Sequence, residues 1–265
     1  MTKDNCVVQV PQPLVHFPPF FPVQVPAKGF DLKKINDYGD IISVSAPETP
    51  RVRELLVFLA ALTFVQADDV ETDGTRVTLT IHGKEWRRRA GFGRTKQDRA
   101  AWERAIKILT GVQYDIEVDG ARGDGRKYKQ RRKPLPFRRV ILTGIFNDVT
   151  FQKHEDTVTL SILADFVKGL DVTGLRISLT HLLSLRGNIA RLLAYTLYGR
   201  QAWVGTWQQL GKLAEIDGWE ASWKQKQALK KTLIELASGG FRVEVGEEQI
   251  KISRKKGSLG AIFEV

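Results

Sequence analysis

Apolar residues return at helical spacing in several separate stretches of the chain, and strand-like alternation fills the gaps between them. From Arg51 to Gln66 (RVRELLVFLAALTFVQ) the pattern is strongly apolar, and Pro50 stands just ahead of it, which places a helix start there. Thr72-Asp-Gly-Thr75 reads as a turn, and Val77 to Ile81 (VTLTI) alternates like a strand. Gly83 to Ala90 forms a short helix that ends at Gly91 or Gly93. A longer helix follows from Lys96 to Leu109, with Trp102, Ala105, Ile106 and Leu109 on one face. Gly111 stops it, and Tyr114 to Val118 (YDIEV) returns to alternation. Asp119 to Arg139 is a Gly- and Lys/Arg-rich hairpin, with Val140 to Phe146 as its returning strand. Ahead of all this, residues 28–50 read as loop and short strand, the strand falling at Asp40 to Val44.

The same order then recurs. Arg186 to Arg200 is an amphipathic helix, Ala202 to Thr206 is extended, and Trp207 to Ile216 is a short helix closed by Gly218. Trp223 to Ala237 is a long helix with Ala228, Leu229, Thr232, Leu233 and Leu236 inward. Gly239-Gly240 ends it, and Phe241 to Val245 with Gln249 to Ile252 make a tight hairpin. ILTGVQYDIEV (108–118) lies on ELASGGFRVEV (235–245) without a gap, which sets Trp102, Ile106 and Leu109 on Leu229, Leu233 and Leu236. Chance alternation can mimic one strand, but not two helices, a glycine stop and a hairpin twice over. Between the repeats, Asp156 to Leu163 reads as a strand and Ala164 to Gly169 as a short helix, while Ser178 to Leu185 leads into the second repeat.

This order predicts an α+β chain of two pseudo-symmetric winged helix-turn-helix domains in tandem. The expected boundaries are a Pro-rich extended arm at 1–27, a first winged-helix domain with a basic wing at 28–150, and a second at 151–265. The prolines of the arm remove donors and restrict their neighbours, so it is not helical. Its apolar content predicts packing on the body of the protein or pairing with a partner.

Charge changes the picture from fold to partner. Across 265 residues the formal net charge is +11, a footprint for a polyanion. In a winged helix the long helix enters the major groove and the hairpin lies over the backbone. Opposite the first apolar stripe lie Gln97, Ala100, Arg104 and Lys107, with Lys96 at the edge. Opposite the second lie Lys224, Gln227 and Lys231, flanked by Trp223 and Lys230. Arg, Lys and Gln are the side chains that read G and A edges. Half of the residues from Arg122 to Arg139 are basic, among them Arg126, Lys127, Lys129, Arg131, Arg132 and Lys133, opposed only by Asp124. Such a run repels itself until a polyanion neutralises it. Arg87 and Arg88, with Arg89, add a second cluster suited to phosphate.

Other chemistries find no support. His16, His82, His154 and His181 are scattered singly, with no pair spaced to hold a metal or to serve a nickase. Gly91-Phe-Gly-Arg-Thr-Lys96 lacks the spacer of a phosphate loop. The expectation is therefore a non-enzyme without cofactor or metal. Trp86, Trp102, Trp207 and Trp219 read as packing anchors. One cysteine, Cys6, no long apolar run and no signal-peptide pattern predict a soluble cytoplasmic protein without a membrane partner.

From Pro50 to Ile252 the chain resembles the iteron-binding plasmid replication initiators, the Rep family of two winged helices, most closely its TrfA type. The resemblance rests on LSLRGNIARLLAYTL, TWQQLGKLAEIDG and WKQKQALKKTLIELASGGFRVEV, with RRVILTGIF and the first repeat as weaker support. It implies binding to repeated origin sequences in double-stranded DNA, origin opening, and recruitment of a host initiator and helicase. It also implies self-association, with monomers initiating and dimers repressing their own promoter. The Pro-rich arm departs from the family pattern. A winged-helix transcription regulator without a replication role remains the alternative, and an RNA-binding or structural protein using the basic hairpin a more remote one.

Overall fold

The computed structural model describes residues 6–11, 15, 20, 30–35, 38–65, 71–120, 122–130, 138–152, 154–164, 167, 174–200, 202–214 and 223–255. The first half runs β1 (Val7–Pro11), β2 (Phe30–Ile35), β3 (Ile41–Ala46), α1 (Val52–Val65), β4 (Glu71–Thr72) and β5 (Arg76–His82). It continues with α2 (Gly83–Arg89), α3 (Lys96–Gly111), β6 (Gln113–Glu117), β7 (Arg139–Thr143), β8 (Asn147–Gln152) and β9 (Thr157–Leu163). The second half runs β10 (Gly174–Ser178), α4 (Leu179–Ser184), α5 (Asn188–Tyr198), β11 (Ala202–Gly205) and α6 (Trp207–Leu213). It closes with α7 (Trp223–Ser238), β12 (Phe241–Val245) and β13 (Ile250–Arg254). The class is α+β, and the described strands form four antiparallel sheets.

Helix α1 is the centre of the molecule because it is apolar nearly all round. A helix of that kind must be enclosed on every side. It packs on β1, β5, α2 and α3, and on α4 and α5 of the second half. Its start is set by Glu54, whose buried carboxylate accepts the Arg51 N–H at 2.7 Å. Burial pushes that carboxyl above its ordinary pKa, against the pull of the Arg51 N–H and the nearby arginines.

The repeat is present in the order of elements but not in the pairing of strands. In the second half β13 lies between β11 and β12, so the strand ahead of the short helix closes onto the hairpin. In the first half β5 pairs instead with β4 and β9, in the order β4-β5-β9-β8. The β6–β7 hairpin takes β3 and β2 as neighbours, in the order β2-β3-β6-β7. The halves thus share an order of elements and differ in how their strands pair. β5 carries alternating buried residues Val77, Leu79 and Ile81, and β9, far along the chain, sets Val158, Leu160 and Ile162 opposite them. Residue 150, where a domain boundary is expected from the sequence, falls inside β8, and β9 beyond it belongs to the sheet of β5.

The described residues of the arm pack inward. β1 pairs with β10 from Val7 opposite Ser178 to Pro11 opposite Gly174. Val8, Val10, Val15 and Phe20 are fully buried, and the Phe20 ring stacks on Phe58 of α1 at 6.3 Å. Strands β2 and β8 and helix α4 have no clear signature in the sequence, and the expected helix at Ala164 to Gly169 lies largely outside the described residues.

Candidate nucleic-acid interface

Helix α3 begins where Thr95 and Asp98 cap each other. The Thr95 hydroxyl oxygen accepts the Asp98 N–H at 3.1 Å, and the Asp98 carboxylate accepts the Thr95 N–H at 3.2 Å. The Thr95 hydroxyl, with that N–H, holds the Asp98 carboxyl below the usual carboxylate range. With the start fixed, the wheel follows. Trp102, Ala105, Ile106 and Leu109 are buried, and Lys96, Gln97, Ala100, Arg104 and Lys107 are all exposed on the far side. Arg104 is held by Glu48 of the loop ahead of α1, at 2.9 Å.

Arg87 does not join that surface. Its side chain is only 12% exposed and makes two bonds to Asp156 in the β8–β9 turn, at 3.1 and 3.0 Å. Its guanidinium also lies over the Trp102 ring, 5.1 Å from the centroid. The sequence placed it among the phosphate contacts, yet α2 turns it toward the interior. Partial burial pushes the Asp156 carboxyl up, but the bonds and charge of Arg87, with Arg99 and His82 nearby, outweigh this and leave it below the ordinary range. Arg89 is likewise engaged, with Thr63 at 2.8 Å and over the Phe64 ring at 4.0 Å. Of the three arginines only Arg88 is exposed.

A pair of variants separates these roles. Arg87→Ala leaves Asp156 without its main partner and lowers stability by about 1–3 kcal/mol. The stability linked to Asp156 is present above about pH 4 and lost as pH falls through its lowered native value, so Arg87→Ala also blunts acid sensitivity. Arg88→Ala leaves stability within about 0.5 kcal/mol. Denaturant unfolding at neutral and acid pH reads both, and a larger loss in Arg88→Ala contradicts the placement.

The β6–β7 connection projects basic side chains from a tethered base. Arg126, Lys127 and Lys129 are exposed, and Arg122 pairs with Asp119 at 3.0 Å. The Asp119 N–H donates to the buried Asp40 carboxylate at 3.0 Å. Gly39 has φ +82, and a Cβ there would stand 3.0 Å from the Tyr128 ring. Only glycine lets the 38–40 loop turn and receive that ring. Arg131, Arg132 and Lys133 lie outside the described residues.

Helix α7 buries Leu229, Thr232, Leu233 and Leu236 and exposes Lys226, Lys230 and Lys231. Gln227 is half-buried, and the side chains of Trp223 and Lys224 lie outside the described residues. The helix is held in place by Glu235, whose carboxylate accepts the N–H groups of Arg186 and Gly187 at the start of α5. Sequence reasoning missed Lys226 and Ile234 on the outward side. Continuing the spacing from Gln227 and Lys231 would have reached Ile234, but its apolar character argued for the core.

No cluster of His, Cys, Asp or Glu that could hold a metal occurs among the described residues, and no described helix is long and apolar enough to cross a membrane. No family model and no curated protein matches the sequence. Solved structures share the fold, two of them of one protein. A selenomethionine crystal structure of domains 2 and 3 of RctB aligns over 93% of this chain and 98% of its own, with a TM-score of 0.57 and 11% identity. A second crystal structure of the same two domains aligns over 89% and 94%, with a TM-score of 0.50 and 12% identity. At such identity the likeness is one of fold.

Proposed function

We propose that the chain is a replication initiator that binds repeated sequences in duplex DNA through two winged helix-turn-helix units. In this reading α3 and α7 enter successive major grooves, and the β6–β7 loop neutralises phosphate. The observation that carries it is a matched pair of helices. Both are 16 residues long, each is followed by a hairpin strand, and each opposes a buried apolar stripe to an exposed row of Lys, Arg or Gln. The shared fold with RctB, a replication initiator of Vibrio chromosome II, supports the reading, as does the resemblance to plasmid initiators. Origin opening, iteron binding, recruitment of host replication proteins, self-association and the absence of enzymatic activity belong to the same proposal.

Selection of bound duplexes from a random pool tests it. Lys231→Ala relaxes preference at one or two base pairs, and Arg104→Ala does so at a separate position of the same site, each costing about 1–3 kcal/mol there. Should Lys231→Ala recover the wild-type sequence at every position while Arg104→Ala does not, α7 is a scaffold and not a reader. Opening of an A+T-rich stretch beside the selected repeats in supercoiled DNA, scored by single-strand reactivity, distinguishes initiation from transcriptional regulation.

A further inference from the structure

The outward face of α7 carries one residue whose chemistry its neighbours do not share. Ile234 is 70% exposed, more than any of the other exposed large hydrophobics at Ile35, Ile141, Val204 and Val245. It follows Lys231 by three positions and Lys230 by four, and so shares their face of the helix. Gln227, two turns back, lies on the same line. A single exposed aliphatic residue is ordinary on a protein surface. This one continues, at its C-terminal end, the row of side chains assigned to base edges, where the lysines one turn before it favour a polyanion and disfavour a second copy of the same face.

Phosphates, sugars and most base edges offer such a side chain nothing. In the major groove the one apolar group on display is the C5-methyl of thymine. We propose that Ile234 is a specificity-determining residue that selects a thymine by packing against its methyl group. The inference rests on the duplex-binding reading and adds a base identity to it. Three residues of helix advance about 4.5 Å along the axis, against about 3.4 Å for a step of duplex. The thymine therefore lies within about two base pairs of the pair contacted by Lys231.

The test uses the full chain and the duplex it selects, with each thymine replaced in turn by deoxyuridine, which lacks only the methyl. One replacement, close to the pair relaxed in Lys231→Ala, weakens wild-type binding by about fourfold, the worth of one buried carbon. Ile234→Ala binds the thymine and uracil duplexes alike, and Ile234→Val keeps part of the difference. All three proteins unfold at the same midpoint, since the side chain is exposed. Indifference of the wild type to uracil at every position overturns the inference, as does an Ile234→Ala variant that still distinguishes the two duplexes. Sequence selectivity without uracil sensitivity sinks this inference alone, whereas a chain that selects no sequence removes the duplex-binding reading as well.

Discussion

Raising salt from about 50 to about 200 mM lowers the affinity of this chain for its DNA by on the order of 10³, as expected for six or more phosphate contacts. Lys96, Lys107, Arg126, Lys127, Lys129 and Lys230 are exposed on the elements assigned to DNA, enough to supply that number. The combined change of Arg131, Arg132 and Lys133 to Ala, on the connection between β6 and β7, weakens all sequences alike. It also flattens the slope by about 0.9 for each phosphate that is no longer neutralised. Binding isotherms across a salt series, for selected and scrambled duplexes, give the measurement. An unchanged slope with an altered sequence preference would reverse the role given to this loop.

Replacing Trp86 by Ala lowers the unfolding free energy by about 3–5 kcal/mol, the upper range for truncating one core side chain. Trp86 is fully buried, and its indole N–H donates to the Val57 carbonyl of α1 at 2.9 Å. Its ring meets Trp102 of α3 edge-on at 5.2 Å and Phe146 at 5.6 Å. One side chain therefore joins α1, α2 and α3, and its removal leaves a cavity bordered by two aromatic rings. Trp207, only partly buried, costs less on the same change. Denaturant unfolding decides between them, and a Trp86→Ala loss below about 1 kcal/mol would show that the cavity collapses.

What could be read from the sequence was whatever local periodicity determines. The exposed row Lys96, Gln97, Ala100, Arg104 and Lys107 on α3 is the row the helical wheel predicts, because a capped amphipathic helix has one way to face a core. The Thr72–Thr75 turn is legible for the same reason, with Gly74 at φ +88 and Asp73 accepting the N–H groups of Thr75 and Arg76. Long-range choices were not legible. Nothing near β5 says that it pairs with β9 and not with the hairpin, since both partners present alternating apolar residues. Arg87 misleads because its fate depends on Asp156, brought up from a distant turn. Strand β8 (NDVTFQ) hides because none of its residues is fully buried.

The pairing of β1 with β10 bears on the chain's life before it is folded. The Cys6 N–H donates to the hydroxyl of Thr180, 174 positions away, and the Leu179 N–H donates to the Cys6 carbonyl. At about 5–20 residues per second, the partner strand is synthesised roughly 9–35 s after β1. Throughout that interval the backbone of β1 has no strand to pair with, although α1 is already made and can receive its valines. Pairing β1 with β10 is thus the closure of a very long loop, which slows folding. Nascent chains interrupted before Gly174 are the ones most exposed to strand-to-strand aggregation.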